Sequence, residues 1–142
     1  MLKLEFNPTQ VHLSEIRSWL KEECDKSNEG FYCNWYIIKR CFEEEQLIVG
    51  LYNNMAIGFI TYNQIGSKLM FDIMEVEPLH RNKGFGKKLL IDSIKHFKDK
   101  DIIQIEVDCI NVGSEIFCTQ IGFTKANDPY SQLENGFLMQ IN

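Results

Sequence analysis

The chain lacks any apolar run close to the roughly 18 residues that a membrane-spanning helix requires. It has no Cys-x-x-Cys pair. Its five cysteines (24, 33, 41, 109 and 118) are odd in number and scattered, so reduced thiols are expected rather than a zinc site or a disulfide framework, and no metal is expected. The first residues, MLKLEFNPTQ, lack the layout of a signal peptide, and a cytoplasmic location with no membrane contact is the expectation. There is no internal repeat, low-complexity tract or linker, so residues 1–142 should form a single domain. A hydrophobic content of 44% is enough for a real core.

Positive charge is also in short supply: 15 Lys and Arg stand against 20 Asp and Glu, a net charge of −5. What there is of it is concentrated. Residues 80–100 hold seven Lys or Arg against Asp92 and Asp99, a local +5, which leaves −10 for the remainder. A basic turn on an acidic protein fits a small anionic ligand; nucleic acid would need a broad basic face.

That basic segment follows the most informative stretch, residues 71–91. An apolar strand from Phe71 to Val76 ends at Pro78, and Arg81-x-x-Gly84-x-Gly86 then opens an amphipathic helix. Glycine is a poor helix opener unless a ligand must reach the backbone. A helix start presents N–H donors without intrahelical partners and a partial positive charge. With Arg81, Lys83, Lys87 and Lys88 beside it, the turn suits a pyrophosphate. Lys95, Lys98 and Lys100 read as a solvated helix face.

Three phosphate loops compete for this segment. A P-loop requires Gly-Lys-Ser/Thr, but Lys88 follows Gly86-Lys87. The dinucleotide fingerprint lacks its third glycine, because position 89 is Leu, although Asp108 lies where a ribose-binding acid would be expected. Its glycines also start eight residues after Val76 rather than directly after the strand. The third is the coenzyme A loop of acetyltransferases. Val76-x-Pro78-x-x-Arg81-x-x-Gly84-x-Gly86 resembles the V-x-P-x-x-R/Q-x-x-G-x-G/A loop of the GNAT-type N-acetyltransferase superfamily. Downstream, Asn111-x-x-Ser114-x-x-Phe117-x-x-x-x-Gly122-Phe123 resembles that superfamily's second segment in register.

The resemblance implies an acetyl-CoA-dependent N-acetyltransferase acting on a primary amine of a small molecule or peptide by direct attack. The alternative is a GNAT-like module that binds acyl-CoA as a sensor without turnover. By family position, the main chain of Met74, Glu75 and Val76 faces the pantetheine arm, and the Met74 N–H is the oxyanion donor. Arg81, Asn82, Lys83, Gly84, Phe85, Gly86 and Lys87 hold the pyrophosphate, while Asn111 and Phe117 complete the cofactor contacts. A base is needed because a free alkylamine has a pKa near ~10. Positions 70, 72, 74 and 76 share one face of the strand, and Asp72 is the titratable group among them. It is either the base or a salt-bridge partner on the sheet, with Glu75 on the other face as the second candidate. Cys118 stands where the family usually has Tyr, taken to protonate the departing thiolate; a thiol could donate, or Cys118 could simply pack. The acceptor is expected between segments 27–36 and 127–136. There Phe31, Tyr32, Trp35, Tyr36 and Tyr130 are candidate wall residues, with Glu29, Asp72 and Glu134 attracting a cation. Trp35 and Tyr36 are expected to pack the second helix onto the sheet instead. A monomer or homodimer is expected.

Periodicity supplies the element order. Strands are expected at 2–6, 46–52, 55–64, 70–76, 102–109, 123–126 and 136–141, and helices at 9–25, 34–44, 84–98 and 113–121. Leu13, Ile16, Leu20 and Cys24 form the first helix's apolar stripe. Asn53-Asn54 tolerates the positive φ of a tight hairpin. The helix between the fourth and fifth strands makes that pair parallel. The fold class is therefore α/β: a mixed (α+β) twisted sheet of six to seven strands with helices on both faces, as in the GNAT fold.

Overall fold

The computed structural model describes residues 1–108, 112–126 and 136–141. Strand β1 (Lys3–Glu5) leads into helix α1 (Gln10–Ser27), a 3-10 turn (Tyr32–Asn34) and helix α2 (Trp35–Glu43). Strands β2 (Leu47–Tyr52), β3 (Met55–Ile65) and β4 (Lys68–Val76) follow, then a second 3-10 turn (Pro78–His80) and helix α3 (Phe85–Lys98). The chain continues through β5 (Gln104–Asp108), α4 (Val112–Ile121), β6 (Thr124–Lys125) and β7 (Gly136–Gln140). Among the described residues the sheet has seven strands in the order β1-β2-β3-β4-β5-β7-β6. The last strand in sequence therefore sits between β5 and β6, pairing antiparallel with both.

Contacts divide the chain into two compact units, residues 1–62 with 73–93, and residues 63–72 with 94–142. In the first unit, Leu13, Ile16, Trp19 and Leu20 of α1 and Ile38 of α2 pack against Leu47, Val49, Leu51, Ala56, Phe59 and Ile73. Each fully buried aliphatic side chain contributes about 1.5–3 kcal/mol. The helix buries Trp19 and Glu23, while Cys24, the residue expected in the stripe, is half-buried. Trp35 packs against this core as expected, but Tyr36 is 67% exposed, so the expectation of packing fails for it. One helical position rotates the ring by about 100°, enough to carry Tyr36 off the apolar face.

The β2–β3 hairpin turns on Asn53 and Asn54 with φ of 51° and 64°, the primed geometry that matches strand twist. Its register shifts between Gly50 and Leu51, with Gly50 opposite Gly58 and Leu51 opposite Ala56. Helix α1 satisfies Ala56 from outside the ladder: Trp19 Nε1 donates to the Ala56 carbonyl at 2.9 Å, and Glu15 Oε1 accepts the Ala56 N–H at 3.1 Å.

In the second unit, β4 and β5 pair in parallel from Lys68–Gln104 to Phe71–Val107. The Phe71 and Phe97 rings lie 6.2 Å apart. Lys68 forms an ion pair with Glu106, whose side chain is 2% exposed. Buried charge of this kind is retained only when paired.

Candidate functional site

The loop after β4 is shaped by two left-handed residues, Asn82 (φ 62°) and Gly84 (φ 83°). Alternating handedness of this kind turns successive N–H groups toward one side and makes an anion-binding concavity. The first hydrogen bond of α3 runs from the Lys88 N–H to the Gly84 carbonyl at 3.1 Å. Among the described residues, the amides of residues 82–87 have no acceptor. A Cβ built at Gly84 meets no atom within 4 Å, so the space above it is open.

The charged side chains divide into two groups. Lys88 is held by Asp92 at 2.8 Å. Lys83 and Lys87 are exposed. They are the loop's cations without an ion-pair partner among the described residues. Phe85 and Gly86, in the first turn of α3, are half-buried. Together the open amides and these two lysines fit a pyrophosphate in geometry and in sign.

Arg81, expected to lend its charge to that anion, commits its guanidinium to the protein. Its Nε donates to the Val76 carbonyl at 2.8 Å. Its terminal nitrogen lies 2.8 Å from both Glu23 Oε2 and Glu75 Oε1. Both carboxyls are 6% exposed. Glu75 does lie on the strand face opposite Met74, as the period of two requires. Burial pushes its carboxyl up to about 8, helped by a hydrogen bond to Glu23 and by that group's negative charge; Arg81 and the Phe31 N–H pull the other way. Glu23 Oε1 and Glu75 Oε2 are buried without a partner while both groups are ionised. A proton on Glu75 supplies the missing donor between them.

The turn after α1 closes over this pair. Asn28 ends the helix in the left-handed conformation, its N–H on the Cys24 carbonyl at 2.8 Å. Gly30 follows at φ 86°, and a Cβ there would lie 2.1 Å from Glu23 Oε1 and 3.0 Å from Glu75 Oε1. Only glycine fits that turn against the carboxyls.

The other expected residues are placed as follows. Met74 is half-buried and Val76 buried on β4, past Phe71, the last β4 residue paired with β5 among the described residues. The Ile73 amide donates to Thr61 Oγ1 at 3.0 Å. Asp72 is exposed, Phe117 half-buried and Cys118 buried on α4. Asn111, Tyr130 and Glu134 lie outside the described residues. Glu29 is exposed. Among the described residues no cluster of His, Cys, Asp or Glu could hold a metal ion, and no helix is long and apolar enough to cross a membrane.

Sequence reasoning missed Glu23 and the role of Gly30. The signal for Glu23 was present: it lies three residues after Leu20 and seven after Ile16, on the buried stripe itself.

Comparison with known proteins agrees with this architecture. The profile of the acetyltransferase (GNAT) family matches residues 13–123. No curated protein matches the chain. Among solved structures, the PaiA N-acetyltransferase from Thermoplasma acidophilum in complex with coenzyme A superposes with a TM-score of 0.77 at 16% identity, covering 99% of each chain. A GNAT-family acetyltransferase from Staphylococcus aureus gives 0.75 at 16% identity over 100% of both chains. The GNAT-family N-acetyltransferase YhbS from Escherichia coli in complex with CoA gives 0.74 at 9% identity, covering 100% of this chain and 81% of that one. At such identities the likeness is one of fold.

Proposed function

The chain belongs to the acetyltransferase (GNAT) family, and from that premise we propose that it transfers the acetyl group of acetyl-CoA to a primary amine of a small molecule or peptide. The observation that carries this reading is the run of amides from 82 to 87 without acceptors, opening α3 beside Lys83 and Lys87. Such a loop neutralises a pyrophosphate without a metal, through oriented N–H dipoles and two screened charges. Acetyl-CoA would supply an activated thioester carbonyl.

The residues then divide the work by position. The Met74 N–H is assigned the carbonyl oxygen, where a fixed dipole stabilises developing negative charge. The Val76 main chain is assigned to the pantetheine arm, with its carbonyl already bonded to Arg81. Phe117 and Asn111 stand at family positions of the second motif. Asp72 is the residue we assign to the acceptor amine, as base or as ammonium partner. It is exposed, whereas the Oε2 of Glu75 has no accessible surface.

Cys118 favours a second reading. It stands in the position of the usual tyrosine and is 7% exposed, as expected of a thiol that packs. A module that binds acyl-CoA without turnover would need no proton donor there. Incubating the protein with acetyl-CoA and a panel of amines, peptides and aminoglycosides, with released coenzyme A thiol as the readout, separates the two. Amine-dependent thiol release supports the transferase. Tight coenzyme A binding with no release for any acceptor favours the module.

A further inference from the structure

Three groups converge on the Glu75 carboxyl: Glu23 from α1, the Gly30–Phe31 backbone from the turn after α1, and Arg81 from the loop after β4. Arg81 reaches both carboxyls at once. Its Nε is on the Val76 carbonyl, and its terminal nitrogen lies 2.8 Å from each carboxylate. Three residues further along the chain is Gly84, whose open side and neighbouring amides form the anion cradle. The root of the cradle is therefore fixed from α1 and β4 by two carboxyls that are nearly closed to solvent.

We propose that the side chains of Glu23, Glu75 and Arg81 form a positioning strut for the pyrophosphate loop, so that the grip on coenzyme A is set in part by the ion pairs these side chains make with one another. This rests on the assignment of the loop as the cofactor cradle. The strut works by matching charge. With one proton on the carboxyl pair, a single negative charge faces a single guanidinium, and the two carboxyls can hydrogen-bond to each other. Without that proton, two buried carboxylates face one cation and repel each other. Relief requires a carboxyl to swing toward solvent, past Gly30, and this releases one end of Arg81. Gly30 completes the device because any Cβ there would push Glu23 off the guanidinium.

The strut loses its proton around the value of about 8 held by Glu75. About three quarters of molecules carry it at pH 7.5 and about a tenth at pH 9. If only protonated molecules hold the loop in its binding geometry, the apparent Kd for acetyl-CoA rises by up to about eightfold over that interval. Acetyl-CoA is the probe because, unlike coenzyme A, it has no thiol to titrate.

Calorimetry at pH 7.5 and 9 on wild type and Glu75→Gln tests this. The amide keeps a donor for Glu23 at both pH values, so its affinity should change less than twofold while that of wild type falls severalfold. Glu23→Gln, which removes the neighbouring charge, should move the midpoint of the wild-type profile to lower pH. Parallel profiles in wild type and both variants overturn the strut. A second measurement separates it from the cofactor assignment: hydrogen-exchange protection of the Lys88 amide, bonded to the Gly84 carbonyl, in ligand-free protein. If wild type binds no acetyl-CoA at any pH, the cofactor reading fails. In that case, loss of Lys88 protection at pH 9 in wild type but not in Glu75→Gln still supports the strut, and equal protection refutes it.

Discussion

Replacing Glu75 by Gln should remove a component of this protein's stability that falls as pH rises. The carboxyl titrates at about 8 in the folded chain against 4.5 for the ordinary group. Between those values the folded state holds a proton that the unfolded state has lost, so stability falls as pH rises. The contribution is complete below pH 4.5 and gone above about 8. One proton over that interval corresponds to about 1.4 kcal/mol per pH unit, or roughly 5 kcal/mol in all. That is comparable to the whole stability of a small domain, and relaxation of the site should reduce it to a few kcal/mol. His96 contributes with the opposite sign. Its burial and Lys100 lower its value from 6.5, which favours folding as pH rises through the acid range. Since His96 is common to both proteins, the difference between wild type and Glu75→Gln isolates the carboxyl. Urea unfolding at five pH values from 5 to 9 gives the two curves. Wild type should lose about 2–4 kcal/mol across the series relative to the variant, most of it by pH 8. Curves that run parallel would show that Glu75 is ionised at neutral pH and that the burial argument is wrong.

Other expectations concern the site. Gly84→Val forces a β-branched residue to φ 83° and fills the open side of the loop, so coenzyme A affinity should fall at least tenfold with the fold retained; calorimetry reads both the loss and, through a scan, the fold. Asp72→Asn should lower kcat/KM for the acceptor by ~10²-fold or more and leave acetyl-CoA affinity nearly unchanged, whereas wild-type turnover from pH 6 to 9 would remove Asp72 from the mechanism. Cys118→Ala should cost about 1 kcal/mol of stability and little rate, because a 7% exposed side chain is filling space; a hundredfold loss of kcat in a stable variant would make the thiol catalytic.

The fold was largely legible because its signals are local. The alternation of β4, the Asn53-Asn54 turn and the glycines at the start of α3 each act within a few residues, and their elements appear within a residue or two of the expected limits. The placement of β7 between β5 and β6 was not legible, since sequence order says nothing about which edge a returning strand takes. The same limit applied to Arg81. Its motif position pointed to the anion, but the choice between an anion and two carboxylates depended on Glu23, which lies 58 residues away. Pairing across such a distance leaves no trace in composition or period. Burial of an acid on an apolar stripe was the one clue, and Cys24 beside it offered a more conventional filler.

The clasp of α1 on Ala56 has a kinetic meaning. Ordinary hairpins zip along their own ladder in microseconds, and their amides become protected as they close. At the register shift of β2 and β3, the Ala56 N–H is bonded to Glu15 and its carbonyl to Trp19, so closure of the hairpin alone leaves both groups to water. Protection of that one amide should appear only when the helix docks. In a refolding pulse-label experiment, Ala56 is then a clock for the helix rather than for the strand on which it lies.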